Sequence, residues 1–162
     1  MKNLLLSLSV FGIACFCFSC GNDGGEDYCV DQNVLDEAII QNYIDTAGLT
    51  NVQVTEEGVH YIVEVEGDGP RPDATSRVTV HYEGFLLDGT KFDSSYDRGQ
   101  SASFSLTGVI PGWTIGIPQF RKNGSGVLII PSCLAYRRNP PFGSPIGEDD
   151  VLLFNIRLLE VN

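Results

Sequence analysis

The chain has 162 residues, 21 of them acidic and 10 basic, for a net charge of −11. So acidic a surface repels phosphate backbones, which argues against a nucleic-acid partner, and it offers no polybasic patch for anionic lipid. Five cysteines and two histidines show no Cys/His spacing that suggests a metal, so the sequence calls for no metal and no other cofactor.

Residues 1–19 hold Lys2 and then an apolar run from Leu4 to Phe18. The run is about 15 residues, shorter than the ~20 needed to cross a bilayer, and reads as the core of a signal peptide. It ends at Ser19-Cys20, which resembles a bacterial lipobox. Cleavage there leaves Cys20 as a lipidated first residue and gives membrane attachment through the lipid alone. Cys17 stands where leucine is usual, and Cys15 after Ala14 is a competing site. Ordinary secretion is the plainer alternative. Residues 20–30, rich in glycine and acid, read as a flexible tether. If Cys15 and Cys17 leave with the leader, Cys29 and Cys133 remain. An oxidising compartment permits a bridge between them; a free Cys133 in a half-buried loop is the alternative, and the sequence leaves both open.

Residues 31–56 form an N-terminal helical extension. Within it, residues 31–47 read as an amphipathic helix, with Val34, Leu35, Ala38, Ile39, Tyr43 and Ile44 at three- and four-residue spacing. Asp31 is the expected N-cap and Gly48 the C-cap. The stripe must pack on its own domain, giving a monomer, or on a second copy.

From residue 52 the period changes to two, and residues 57–162 read as one domain. Strands are expected at 60–66, 77–86, 102–106, 127–131 and 151–161. Asp88-Gly89 turns the second of these back on itself. Between strands, Ile110-Pro-Gly-Trp113 opens a short helix that Pro118 limits to a turn or two. Antiparallel strands with one short helix predict an α+β fold, a curved sheet wrapped on that helix.

The run VHYEGFLLDGTKFDSS (residues 80–95) brings Tyr82, Phe92 and Asp93 together. Aromatic rings beside one carboxylate suit binding and twisting an amide, not cutting one. Ser94 and Ser95 have no histidine in sequence range to activate them. With VIPGW (109–113), LIIPSCLAY (128–136) and VLLFNIRLLEV (151–161), this run resembles the FKBP-type peptidyl-prolyl isomerases over about residues 57–161. The leader and helix are similar to exported FKBP lipoproteins of Bacteroidetes-type bacteria, which implies a cell-envelope protein anchored in the outer membrane.

The resemblance implies an apolar pocket for a proline ring. Trp113 is its expected floor, and Tyr82, Phe92 and Phe154 its walls, with Val109 and Ile146 beside them. The Ile110 N–H and the Tyr136 hydroxyl are expected to bond the carbonyls of the bound peptide. Asp93 lies against the twisting amide, with Arg98 as its partner. Tyr82, Phe92, Asp93 and Tyr136 are the expected catalytic residues. Proline-containing chains of exported proteins are the implied partners, and macrolides the implied inhibitors. Taken singly, Trp113 would be a core residue and Asp93 a turn cap; His81 and His60 suggest no chemistry.

Three departures stand out. Ala102 occupies a position where many members carry an aromatic. The stretch from Leu106 to Trp113 is short. Arg137-Arg138 replaces the usual glycine and opens the unusual segment RRNPPFGSP (137–145), which is placed to alter peptide preference or to cover the pocket. A non-catalytic peptide-binding module or holdase chaperone is therefore the rival reading, and an assembly factor for one envelope complex a third.

Overall fold

The computed structural model describes residues 26–162. The expected leader, the lipidation site at Cys20 and the start of the tether lie outside the described residues.

Seven strands form one antiparallel sheet. In chain order these are β1 (Gln53–Val54), β2 (His60–Val65), β3 (Arg77–Leu86), β4 (Lys91–Ser94), β5 (Ala102–Ser105), β6 (Ser125–Ile130) and β7 (Leu152–Val161). Their spatial order is β1-β2-β6-β7-β3-β4, with β5 also on β3. The long strand β3 thus divides one edge between two short partners. Its first half pairs with β5 and its second with β4. The five expected strands are all present, within a residue or two at their ends. β1 pairs with β2, so the sheet begins ahead of residue 57.

Two helices cover the two faces of this sheet. Helix α1 (Glu26–Ala47) lies on one, and α2 (Pro111–Gly116) on the other. This explains the run VLII in β6. Val127 and Ile129 pack in the cluster with Ile40 of α1, while Leu128 and Ile130 pack in the cluster with Trp113 of α2. A strand covered on both sides reads as a continuous apolar run, not as an alternation. Pro111 starts α2 in a conformation suited to a first turn, and Pro118 converts its end into a 3-10 turn, Ile117–Gln119. Gly112 allows α2 to touch the sheet, because a Cβ there would collide with the Ile130 side chain.

The N-terminal helix corrects two expectations. It begins by Glu26, so Asp31 is an interior residue and not the N-cap, and residues 26–30 are helical and not a loose tether. Its inward face also differs. Val34, Leu35 and Ile39 are exposed, at 69%, 58% and 48%, whereas Ile40 and Asp36 are fully buried. Tyr43 and Ile44 do pack on the sheet side. The sequence offers two apolar rows about half a turn apart, and periodicity alone does not choose between them. Specific tertiary ties make the choice. Cys29 is bridged to Cys133 with a Cα–Cα separation of 5.9 Å, and Asp36 bonds Ser132. Both partners lie in the 3-10 turn Ser132–Leu134 that follows β6.

Candidate active site

On the α2 side, strands and loops enclose a cavity of about 610 Å³, a size suited to a small ligand or a peptide segment. Trp113, carried into it by α2, is 4% exposed. Three rings stand nearly perpendicular to the indole: Tyr82 from β3, Phe104 from β5 and Phe154 from β7. Their centroids lie 5.1, 5.3 and 5.3 Å from its own, within the range for favourable edge-to-face contact. Phe92 stands edge-on to Phe154 at 5.5 Å and closes one side.

Phe92 and Asp93 are adjacent in sequence, and regular pleating would send them to opposite faces. Both line the cavity. The register explains this: Phe85 pairs with Lys91 and Gly84 with Asp93, so β4 carries one extra residue at a bulge. A bulge re-aims side chains at a sheet edge. Gly84 is required opposite it. A Cβ there would lie 2.5 Å from the Phe92 ring and 3.0 Å from that of Phe154.

One polar cluster meets these rings. The Tyr82 hydroxyl donates to Asp93 Oδ2, and the Arg98 guanidinium donates to Asp93 Oδ1 and, at 2.9 Å, to the Tyr82 oxygen. Burial pushes the Asp93 carboxyl upward, but the donors from Tyr82 and Arg98 outweigh it and hold the group below the usual carboxylate range. Burial, with the bond to Asp93, pushes Tyr82 up to about 12. Tyr136 also rises, through burial and then the nearby Asp93 charge. At neutral pH the site thus presents one carboxylate and two neutral phenols.

The remaining expected residues come from loops. Val109 and Ile110 precede α2, and Tyr136 and Ile146 flank the segment 137–145; all four line the cavity. Arg98 is the exception, reaching Asp93 and Tyr82 without lining the cavity itself. The short stretch before α2 forms a 3-10 turn, Leu106–Gly108. The Thr114 hydroxyl ties it back by donating to the Leu106 carbonyl at 2.6 Å.

One expectation about serine needs correction. Ser95 has a histidine in reach, since His81 Nδ1 lies 3.0 Å from its Oγ. The pair is structural. Ser95 is fully buried, its hydroxyl accepts from the Tyr82 N–H at 2.8 Å, and His81 stacks on Tyr96.

The family profile described as FKBP-type peptidyl-prolyl cis-trans isomerase matches residues 69–159. The chain belongs to the FKBP-type peptidyl-prolyl cis-trans isomerase family. It is 46% identical over 110 residues to the FKBP-type isomerase FkpA of Aeromonas hydrophila, covering 68% of this chain and 40% of that protein. FkpA of Escherichia coli (strain K12) is 42% identical over the same length, with the same coverage. The crystal structure of FkpA from Escherichia coli matches with a TM-score of 0.70 and 35% identity, over 86% of this chain and 63% of that one. An isomerase structure from Pseudomonas syringae pv. tomato matches with a TM-score of 0.68 and 30% identity, over 80% and 96%. The chain thus spans about 40% of the length of the FkpA proteins it matches in sequence.

Within this FKBP-type cavity, sequence reasoning did not name Phe104, Gly108, Pro141 or Ser144. Phe104 was within reach of a period-two reading, since it lies two residues from Ala102 on the same face of β5. Ala102 packs on the core, while Phe104 supplies a ring to the cavity wall. Pro141 and Ser144 carried no such signal, because nothing periodic places a loop.

Proposed function

We propose that this FKBP-type chain accelerates cis-trans rotation of X–Pro bonds in proline-containing polypeptides. The observation that carries the reading is the aromatic box on Trp113, open to peptide and edged by a single carboxylate. Amide resonance sets a barrier near ~20 kcal/mol to rotation. In the transition state the amide is twisted, resonance is lost and the dipole is smaller. An apolar box therefore disfavours it less than the flat ground state, and only such a difference accelerates a reaction.

In this reading the pyrrolidine ring sits over Trp113 between Tyr82, Phe92 and Phe154. The Ile110 N–H and the Tyr136 hydroxyl donate to peptide carbonyls on either side of the rotating bond. The Asp93 carboxylate, fixed by Tyr82 and Arg98, faces the carbonyl carbon as it leaves the amide plane. Stabilisation of about 5–7 kcal/mol gives roughly 10⁴–10⁵-fold acceleration. Bond rotation transfers no proton and forms no covalent bond.

A short X–Pro peptide assay tests this directly. Accelerated rotation that a pocket-filling macrolide suppresses supports the reading; an uncatalysed rate at enzyme excess removes it. A second reading, a holdase for unfolded chains, draws on Phe142, fully exposed in the loop beside the cavity, and on the exposed Val34, Leu35 and Ile39 of α1. Suppressed aggregation with no change in proline-limited refolding favours it over isomerisation. We further propose that exported proteins are the clients, and that Cys20 carries a lipid anchoring the domain in the cell envelope. Cys20→Ala should then release the protein from membranes.

A further inference from the structure

Helix α1 lies outside the residues matched to the family, yet it is fastened to the segment that carries Tyr136. Asp36, fully buried in α1, accepts two hydrogen bonds at Oδ2, from the Ser132 N–H and the Ser132 hydroxyl, each 2.7 Å. Its Oδ1 accepts from Gln32 Nε2 at 2.8 Å. No cation pairs with it among the described residues. A buried carboxylate without a cation is costly unless hydrogen bonds replace its water. An apolar side chain would fill the same space at less cost, but it would not fix Ser132 by direction.

Ser132 is the pivot of the turn that presents Tyr136. Its carbonyl accepts from the N–H of Ala135 at 3.0 Å and of Arg137 at 3.1 Å, so it brackets Tyr136 on both sides. Arg137 has a left-handed backbone, φ 54°, a conformation that L residues hold only when their surroundings enforce it. Two further ties reach the same segment from the same helix. Cys29 bridges Cys133, and Tyr28 donates to Asp149 while Arg138 lies over the Tyr28 ring at 4.0 Å.

We propose that Asp36 is a positioning residue of the site, which acts through Ser132 to set the height of the Tyr136 hydroxyl over the cavity. The inference rests on the reading of Tyr136 as a ligand for the peptide carbonyl. It assigns to the N-terminal helix a part in peptide affinity, and not only in stability.

The test is a double-mutant cycle read by peptide affinity, with Trp113, the single tryptophan, as the fluorescent reporter. Asp36→Ala should weaken binding of an X–Pro peptide about tenfold, and Ser132→Ala, which removes one of the two donors, about threefold. Asp36→Asn keeps an acceptor for Ser132, and a turned Gln32 amide satisfies the rest, so affinity should return to within about threefold of the parent. Combining Asp36→Ala with Tyr136→Phe should give no loss beyond the larger single effect, because both remove the same contact. Amide exchange at Ala135 and Arg137 should quicken at least about tenfold in Asp36→Ala, while β3 and β7 amides keep their protection.

Unchanged affinity in Asp36→Ala, losses that add fully to those of Tyr136→Phe, or unchanged exchange at Ala135 and Arg137 would each overturn the proposal. Should Asp36→Ala not fold, Ser132→Ala and Asp36→Asn carry the same comparison. If Tyr136→Phe alone leaves affinity intact, Tyr136 holds no peptide carbonyl and the proposal falls with that assignment. If the parent binds peptide but does not speed its rotation, the cycle still decides on Asp36, and only the catalytic reading is lost.

Discussion

Asp93 stands opposite Gly84 in the β3–β4 ladder, yet its carboxylate accepts from Tyr82, two residues further back along β3. Such diagonal pairs are within reach of long side chains on one sheet face. The diagonal turns the carboxylate away from the glycine and over the rings, where Arg98 holds its other oxygen. Asp93→Ala removes the acceptor from both donors and leaves the hydroxyl of the buried Tyr82 unbonded to a carboxylate. We expect kcat/KM on an X–Pro peptide to fall about tenfold, equal to ~1.4 kcal/mol of transition-state stabilisation. Stability should change by under ~1 kcal/mol, because the Asp93–Arg98 pair is more than a third exposed. Thermal unfolding and peptide isomerisation, measured on one preparation, separate the two effects.

The same cluster sets the pH profile. Asp93 is held below the usual carboxylate range, so its contribution to folding and to the site is complete above about pH 4–5 and is lost as pH falls through its lowered value. Tyr82 is raised to about 12 and Tyr136 is raised as well. A raised phenol contributes most below its ordinary value near ~10 and loses that contribution as pH climbs past it. Between about pH 5.5 and 9 no group of the cluster changes charge, so kcat/KM should be flat. A bell with an inflection near neutrality would mean that a histidine takes part, against the placement of His81 and His60 away from the cavity lining.

Much of this was legible in the chain, for a local reason. The strands, the Asp88-Gly89 turn and the Pro111 helix start are written in residues next to one another, and nine of the ten expected pocket residues line the cavity, five carried by strands and α2 and four by the loops that adjoin them. What was not legible depends on contacts distant in sequence. The choice between two apolar rows on α1 is made by Cys133 and Ser132, about a hundred residues away. Whether Cys29 and Cys133 pair was open in the sequence for the same reason. The Ser95–His81 contact is made by strand pairing, not by sequence spacing.

Gly84 should prove intolerant of substitution out of proportion to its size. Its φ is not left-handed, so the constraint is space and not backbone strain. A methyl group at 84 meets the Phe92 ring at 2.5 Å. It must displace either that ring or the bulged strand that carries Asp93. Gly84→Ala should cost about 1–3 kcal/mol of stability, as overpacking does, and lower kcat/KM further than the stability loss accounts for. Denaturant midpoints give the first quantity. Peptide assays well below the unfolding temperature give the second.

Phe104 supplies the sharpest test of how the box is built. It stands edge-on to Trp113 at 5.3 Å and contacts Tyr82 at 6.1 Å, and its neighbour Ala102 is too small to replace it. Removing the ring leaves the indole unsupported on the β5 side and admits water to an apolar wall. Edge-to-face contacts contribute about 0.5–1.5 kcal/mol each beyond the area they bury. Phe104→Ala should therefore lower peptide affinity by about tenfold, shift Trp113 fluorescence to the red, and cost less stability than a fully buried Phe→Ala, ~3–5 kcal/mol, because Phe104 is half-buried. Restoring bulk on the same strand face, with Ala102→Phe in the Phe104→Ala background, should recover part of the affinity. No recovery, together with unchanged Trp113 emission in Phe104→Ala, would mean that β5 does not shape the box and that the wall is set by β3 and β7 alone.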